Sequence, residues 1–172
     1  SGGIDTSAPQ TITISVTAVN DAPAVSVASI PTIMEDSGPK TVFGFANFNP
    51  GPGESTQSLL GYIVADISNP AMFSAGPSVA NNGTLTYTPS PNASGSVTFT
   101  VVARDNGGTA NGGVDTSTPV TATINITNVN DAPTFAAANP PASNEDGGTV
   151  SVAGWSTFNP GPFEDGQTAE YT

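Results

Sequence analysis

A shift of 110 positions lays residues 1–62 on residues 111–172 without a gap, and almost half of the aligned pairs are identical. Self-similarity at a fixed period marks an array of like units, so whatever this chain folds into must close within one period and tolerate a neighbour at each end. The most conspicuous repeated string is "VNDAP", at Val19 to Pro23 and again at Val129 to Pro133. "GGIDTS" at Gly2 to Ser7 returns as "GGVDTS" at Gly112 to Ser117, and "FNPGP" at Phe48 to Pro52 returns at Phe158 to Pro162. The period divides the chain into the C-terminal strand and linker of a preceding repeat (1–23), a complete repeat (24–133) and the N-terminal part of a following one (134–172). Neither flanking piece is expected to fold alone.

Within one period the dominant pattern is alternation with period two, the mark of a half-buried strand. In "SVTFTVVARD", Val97, Phe99, Val101 and Ala103 share one face while Thr98, Thr100, Val102 and Arg104 share the other. "TATINIT" turns Ala122, Ile124 and Ile126 inward, and its earlier copy "TITISVT" supplies Ile12, Ile14 and Val16 at the same offsets. Further strands are expected over 25–33, 41–48, 59–67 and 84–88, with a short one near 73–79, separated by Pro and Gly clusters that break pairing. Six or seven short strands and no helical period predict an all-β fold of tandem antiparallel β-sandwich domains with Greek-key connections. Trp155 aligns with Phe45 and is expected in a core.

Composition removes several functional classes. The 172 residues hold 14 Asp plus Glu against only Lys40 and Arg104, a formal net charge of −12, with no His and no Cys. Phosphate binding needs Lys and Arg, so a nucleic-acid partner is excluded. Without cysteine there is no disulfide framework, and a period of this length is long enough to build its own core. No apolar run approaches the roughly 18 residues of a membrane span, and no signal peptide opens the chain.

The carboxylates follow the repeat more closely than the other residues do. Asp5, Asp21, Glu35, Asp36 and Glu54 all recur, as Asp115, Asp131, Glu145, Asp146 and Glu164. Solvating decoration would persist only at the overall rate, so these positions read as functional. Loops of an antiparallel sandwich alternate between its two poles. Glu35, Asp36, Asp66, Asn130 and Asp131 are thereby expected at the C-terminal pole, with Glu164 brought to the junction by the next unit. Asn20, Asp21, Glu54, Asp105, Asn106 and Asp115 are expected at the N-terminal pole. Oxygen ligands without His or Cys suit a hard cation, and calcium accepts irregular geometry better than magnesium. The complete repeat carries seven carboxylates and two cations, a net −5, which roughly two or three calcium ions per junction would cancel. Structural readings stand beside these: "VNDAP" as an Asx turn with a proline stop, "DNGG" as a hairpin loop in which Gly107 and Gly108 supply positive φ, Asp115 as a turn cap, "FNPGP" as a rigid turn.

The stretch "LTYTPSPNASGSVTFTVVARDNGG" followed by "TATINITNVNDAPTF" resembles the bacterial cadherin-like and immunoglobulin-like tandem repeats of large secreted or surface proteins, many of them adhesins. "VNDAP" is similar to a shortened cadherin linker, and "VVARDNGG" to the cadherin strand that ends in Ala-x-Asp. The resemblance implies calcium ligands between successive domains and an extracellular, cell-surface location.

Three functional classes follow. The leading expectation is a calcium-stiffened spacer or stalk whose partners are the neighbouring repeats of its own chain. The second is a structural subunit that assembles into a filament, sheath or surface layer by lateral or end-to-end contacts between copies. The third is a carbohydrate-binding module, for which Tyr62, Phe73 and Tyr87 are the candidate platforms. An enzyme is the weakest expectation, since His and Cys are absent and the carboxylates gather at domain ends. The sequons at Asn82 and Asn92 arise readily in a Ser-, Thr- and Asn-rich chain.

Overall fold

The computed structural model describes residues 2–162, 164 and 166–170. Its strands are β1 (Ala24–Val27), β2 (Ile33–Met34), β3 (Lys40–Val42), β4 (Ala46–Asn49), β5 (Leu59–Ala65), β6 (Phe73–Val79), β7 (Leu85–Pro89), β8 (Gly95–Asp105), β9 (Val120–Thr127), β10 (Thr134–Ala137) and β11 (Ser156–Asn159). One sheet has the order β2-β9-β8-β5; the other side is built from β3-β7-β6 and the β1-β4 pair. The Ala46 N–H donates to the Gly83 carbonyl at 3.0 Å and ties β4 to the turn before β7. The result is an all-β, immunoglobulin-like sandwich.

The alternation of "SVTFTVVARD" decides the core. Val97, Phe99, Val101 and Ala103 are completely buried on β8, opposite Ala122, Ile124 and Ile126 of β9. Phe45 and Leu85 close the sandwich from the other side, with the Phe45 and Phe99 rings 6.1 Å apart. The same period places Asp105, the last residue of β8, on the inward face, where it is completely buried. A carboxylate therefore caps the apolar column at one pole of the sandwich.

Two expected strands are each divided. The run 25–33 becomes β1, antiparallel to β4, and β2, which pairs parallel with β9 through Ile33 and Ile126. Pro31 stands between them; it has no N–H for a ladder, and the chain crosses sheets there. The run 41–48 splits at Gly44, whose φ of +63° turns the chain from β7 to β1. β5 ends before Asp66, which has φ +51°.

Three further expectations are corrected. Residues 11–17 form no strand, and Ile12, Ile14 and Val16 are all more than four-fifths exposed, because no described residue pairs with them. Trp155 is 44% exposed whereas Phe45 is fully buried, since no described counterpart of Phe99 or Leu85 packs on Trp155. Phe73 and Tyr87 are core residues in a T-shaped pair with centroids 6.0 Å apart, not sugar platforms.

The period is visible in three dimensions. β10 pairs β11 in the register of β1 and β4, with Thr134 opposite Asn159 as Ala24 is opposite Asn49. The turn bonds follow: Gly51 N–H to Asn49 Oδ1 at 3.0 Å and Gly161 N–H to Asn159 Oδ1 at 3.1 Å.

Candidate metal centre

At the first linker the buried Asn20 is inserted into the loop that follows β8. Its Nδ2 donates to Asp105 Oδ1 at 3.2 Å, to the Gly108 carbonyl at 3.1 Å and to the Val114 carbonyl at 2.6 Å. The Val114 N–H returns a bond to the Asn20 carbonyl at 3.0 Å. Three acceptors around one amide nitrogen fix the amide's orientation. Asn20 Oδ1 consequently points the other way, buried and without a partner.

Glycines make room for this insertion. A Cβ on Gly107 would collide with Asn20 Oδ1 and stand 2.7 Å from Gln57 Nε2, and one on Gly113 would come within 2.9 Å of Asn20 Cβ. Of the "DNGG" glycines only Gly108 has positive φ, +77°; Gly107 is required by close approach. The Gly107 N–H donates to Asp105 Oδ1 at 2.9 Å, which leaves Asp105 Oδ2 buried and unpartnered.

Glu54 reaches the same linker from "NPGPGES". Its Oε1 accepts the Asp21 N–H at 2.8 Å, and its Oε2 is buried with no partner. Gln57 completes that turn through a bond from its N–H to the Glu54 carbonyl at 2.9 Å, and its Oε1 is likewise buried and unpartnered. A carboxamide carries no charge to mark it, so Gln57 does not stand out in the sequence as the carboxylates do. The signal was present, since Gln167 repeats it at the same offset.

The second linker repeats half of this arrangement and adds a contact from the complete unit. Asp131 N–H donates to Glu164 Oε1 at 2.9 Å, and Gln167 Nε2 donates to Asn130 Oδ1 at 2.7 Å. On the other side, buried Glu35 accepts the Val129 N–H on Oε1 at 2.6 Å. Glu35 Oε2, Asp131 Oδ2 and Glu164 Oε2 are buried without partners.

The remaining sequence candidates are engaged elsewhere or open to solvent. Asp115 Oδ2 accepts from Arg104 Nε at 2.9 Å, a salt bridge to one of the chain's two cations. Asn106 Oδ1 accepts the Ser58 N–H, and Asp36 Oδ1 the Asn92 N–H, both at 2.9 Å. Asp66 lies beside the middle of β8 rather than at a pole, with its Oδ2 accepting from Thr100 Oγ1 at 2.8 Å. Glu145 and Asp146 are exposed, with no described counterpart of Thr127 and Val129 beside them.

Among the described residues no three Asp or Glu side chains form a group able to hold a metal by themselves. What the first linker gathers instead is a mixed set of carboxylate and carboxamide oxygens. Buried polar atoms are ordinarily satisfied, and the four orphaned acceptors beside this linker, Asn20 Oδ1, Glu54 Oε2, Gln57 Oε1 and Asp105 Oδ2, are an arrangement that a cation would complete. The oxygen-only ligand set and the orphaned acceptors fit calcium.

No curated protein and no solved structure matches the chain. Residues 20–127 match the family described as bacterial Ig domain, a span that opens on Asn20 and ends with the last residue of β9. With its sandwich and more than half of its length inside that match, the chain belongs to the bacterial Ig domain family.

Proposed function

We propose that this chain is a spacer module of an extracellular protein, whose linkers bind calcium and thereby hold successive Ig-like units in a fixed, extended arrangement. One observation carries the reading. Every buried side-chain acceptor without a partner among the described residues, namely Asn20 Oδ1, Glu35 Oε2, Glu54 Oε2, Gln57 Oε1, Asp105 Oδ2, Asp131 Oδ2 and Glu164 Oε2, belongs to one of the two linkers or to a residue beside it. The core, by contrast, is apolar and satisfied. Domains of this family usually occur in surface or extracellular proteins, and no helix among the described residues is long and apolar enough to cross a membrane.

The linker residues act from both sides. Glu35 holds Val129 from the preceding unit, and Glu164 holds Asp131 from the following one. A bound calcium ion would neutralise the oxygens these bonds leave over. Without it, carboxylates gathered around a short linker repel one another and the joint loosens. The module in this reading does mechanical work and no catalysis.

The test is a calcium titration of the chain that follows melting temperature and small-angle scattering together. Calcium is expected to raise the melting temperature and to narrow the distribution of particle lengths, and Asp131→Ala with Glu35→Ala to weaken both responses. A wild-type chain indifferent to calcium in both signals overturns the proposal.

A further inference from the structure

Resting on the calcium reading above, we infer that Gln57 is itself a metal ligand, so that the first linker presents a set of two carboxylates and two carboxamides: Glu54 Oε2, Asp105 Oδ2, Asn20 Oδ1 and Gln57 Oε1. All four oxygens are buried and without a partner. Glu54 and Gln57 stand on one turn and Asp105 opens another, the two joined by a reciprocal pair of bonds, Ser58 N–H to Asn106 Oδ1 at 2.9 Å and Asn106 N–H to the Ser58 carbonyl at 3.1 Å, while Asn20 enters from the linker. That pair brings Gln57 over Gly107, where a Cβ would strike both carboxamides.

Two amides so placed would ordinarily bond to each other. Gln167 and Asn130 do so at the second linker, with Gln167 Nε2 donating to Asn130 Oδ1 at 2.7 Å. There Asn130 is exposed and its Nδ2 turns back to the Asp131 carbonyl. At the first linker Asn20 is inserted on Asp105, Gly108 and Val114, and its Oδ1 remains free although Gln57 is beside it. Inserting Asn20 thus changes the pair from one joined by a bond to two free acceptors next to two carboxylates. A carboxamide oxygen adds coordination without adding charge, so the site as a whole carries −2 and matches one divalent ion. Affinity for calcium rises with the ligand charge count, so exchanging the Gln57 carboxamide for a carboxylate should tighten the site.

The experiment is isothermal titration with calcium chloride of the wild-type chain and of chains carrying Glu164→Ala, which silences the second linker, combined with Gln57→Met or Gln57→Glu. Methionine keeps the bulk of glutamine without its oxygen, and circular dichroism with melting in chelator confirms folding of each variant. In the Glu164→Ala background, Gln57→Met is expected to weaken binding by about tenfold and Gln57→Glu to strengthen it by about as much. If Gln57→Met binds as tightly as its parent, or if the Glu164→Ala chain binds nothing while the wild type does, the ligand role of Gln57 is overturned and the calcium reading stands. A wild-type chain that shows no calcium binding overturns both.

Discussion

The Asp131 N–H donates to Glu164 Oε1 at 2.9 Å, and 110 residues earlier the Asp21 N–H makes the same bond to Glu54 Oε1 at 2.8 Å. The repeated "VNDAP" is therefore held by a carboxylate of the unit that follows it, through backbone rather than side chain. The bond leaves one oxygen of each glutamate and the Asp131 carboxylate available. Punctuation and ligand are compatible roles for the same five residues, because each uses different atoms.

Asn20 should be the most sensitive linker residue in the absence of metal. Asn20→Ala removes an amide that serves three acceptors, one of them the fully buried Asp105, and is expected to cost about 2–3 kcal/mol. Asn20→Asp should cost more, since it faces two carbonyls and a carboxylate with an acceptor-only group. Urea unfolding in chelator measures both.

Asp105→Asn separates stability from binding. The substituted side chain retains an oxygen for Asn20 Nδ2 and the Gly107 N–H while removing a buried charge that has one oxygen unpartnered. In chelator the variant should unfold within about 1 kcal/mol of wild type. The calcium-dependent rise in melting temperature should largely disappear, which calorimetry with and without chelator reads directly.

Two glycines test close approach against conformation. Gly83 has φ +79°, and a Cβ there would collide with the Ala46 carbonyl that it packs against. Gly83→Ala should therefore destabilise by about 3 kcal/mol or more. Gly53 has nearly the same φ, +77°, with open space around it, so Gly53→Ala should cost only about 1 kcal/mol. Thermal unfolding of the two variants side by side gives the comparison.

Alkaline pH should weaken the fold through its tyrosines. Burial raises the phenol of Tyr87, and that of Tyr62, above the usual value of 10.0. Above that value the unfolded chain loses these protons while the folded chain keeps them, so unfolding becomes progressively more favourable as pH rises. The stability is complete below pH 10 and declines through the raised folded values. Absorbance at the tyrosinate band, followed with circular dichroism, should show Tyr87 ionising late and together with unfolding.

The period, the sandwich class and the inward column of β8 are legible in the order of residues alone. Alternation and self-similarity are local properties, readable without knowing what packs on what. The repeat likewise singles out Asp21, Glu35, Glu54 and their copies, whereas the complete burial of Asp105 at the end of that column is a feature of the fold. Other features depended on contacts between residues far apart in the chain. Pairing with β4 on one side and β9 on the other divided 25–33. Arg104, across a loop, took Asp115 as its partner, and Thr100 held Asp66 beside the middle of a strand. Only the tertiary structure distinguished an oxygen that already has a donor from one that has none. That distinction depends on the Asn20 amide being fixed across the loop at 105–114, a contact that no spacing of carboxylates could reveal.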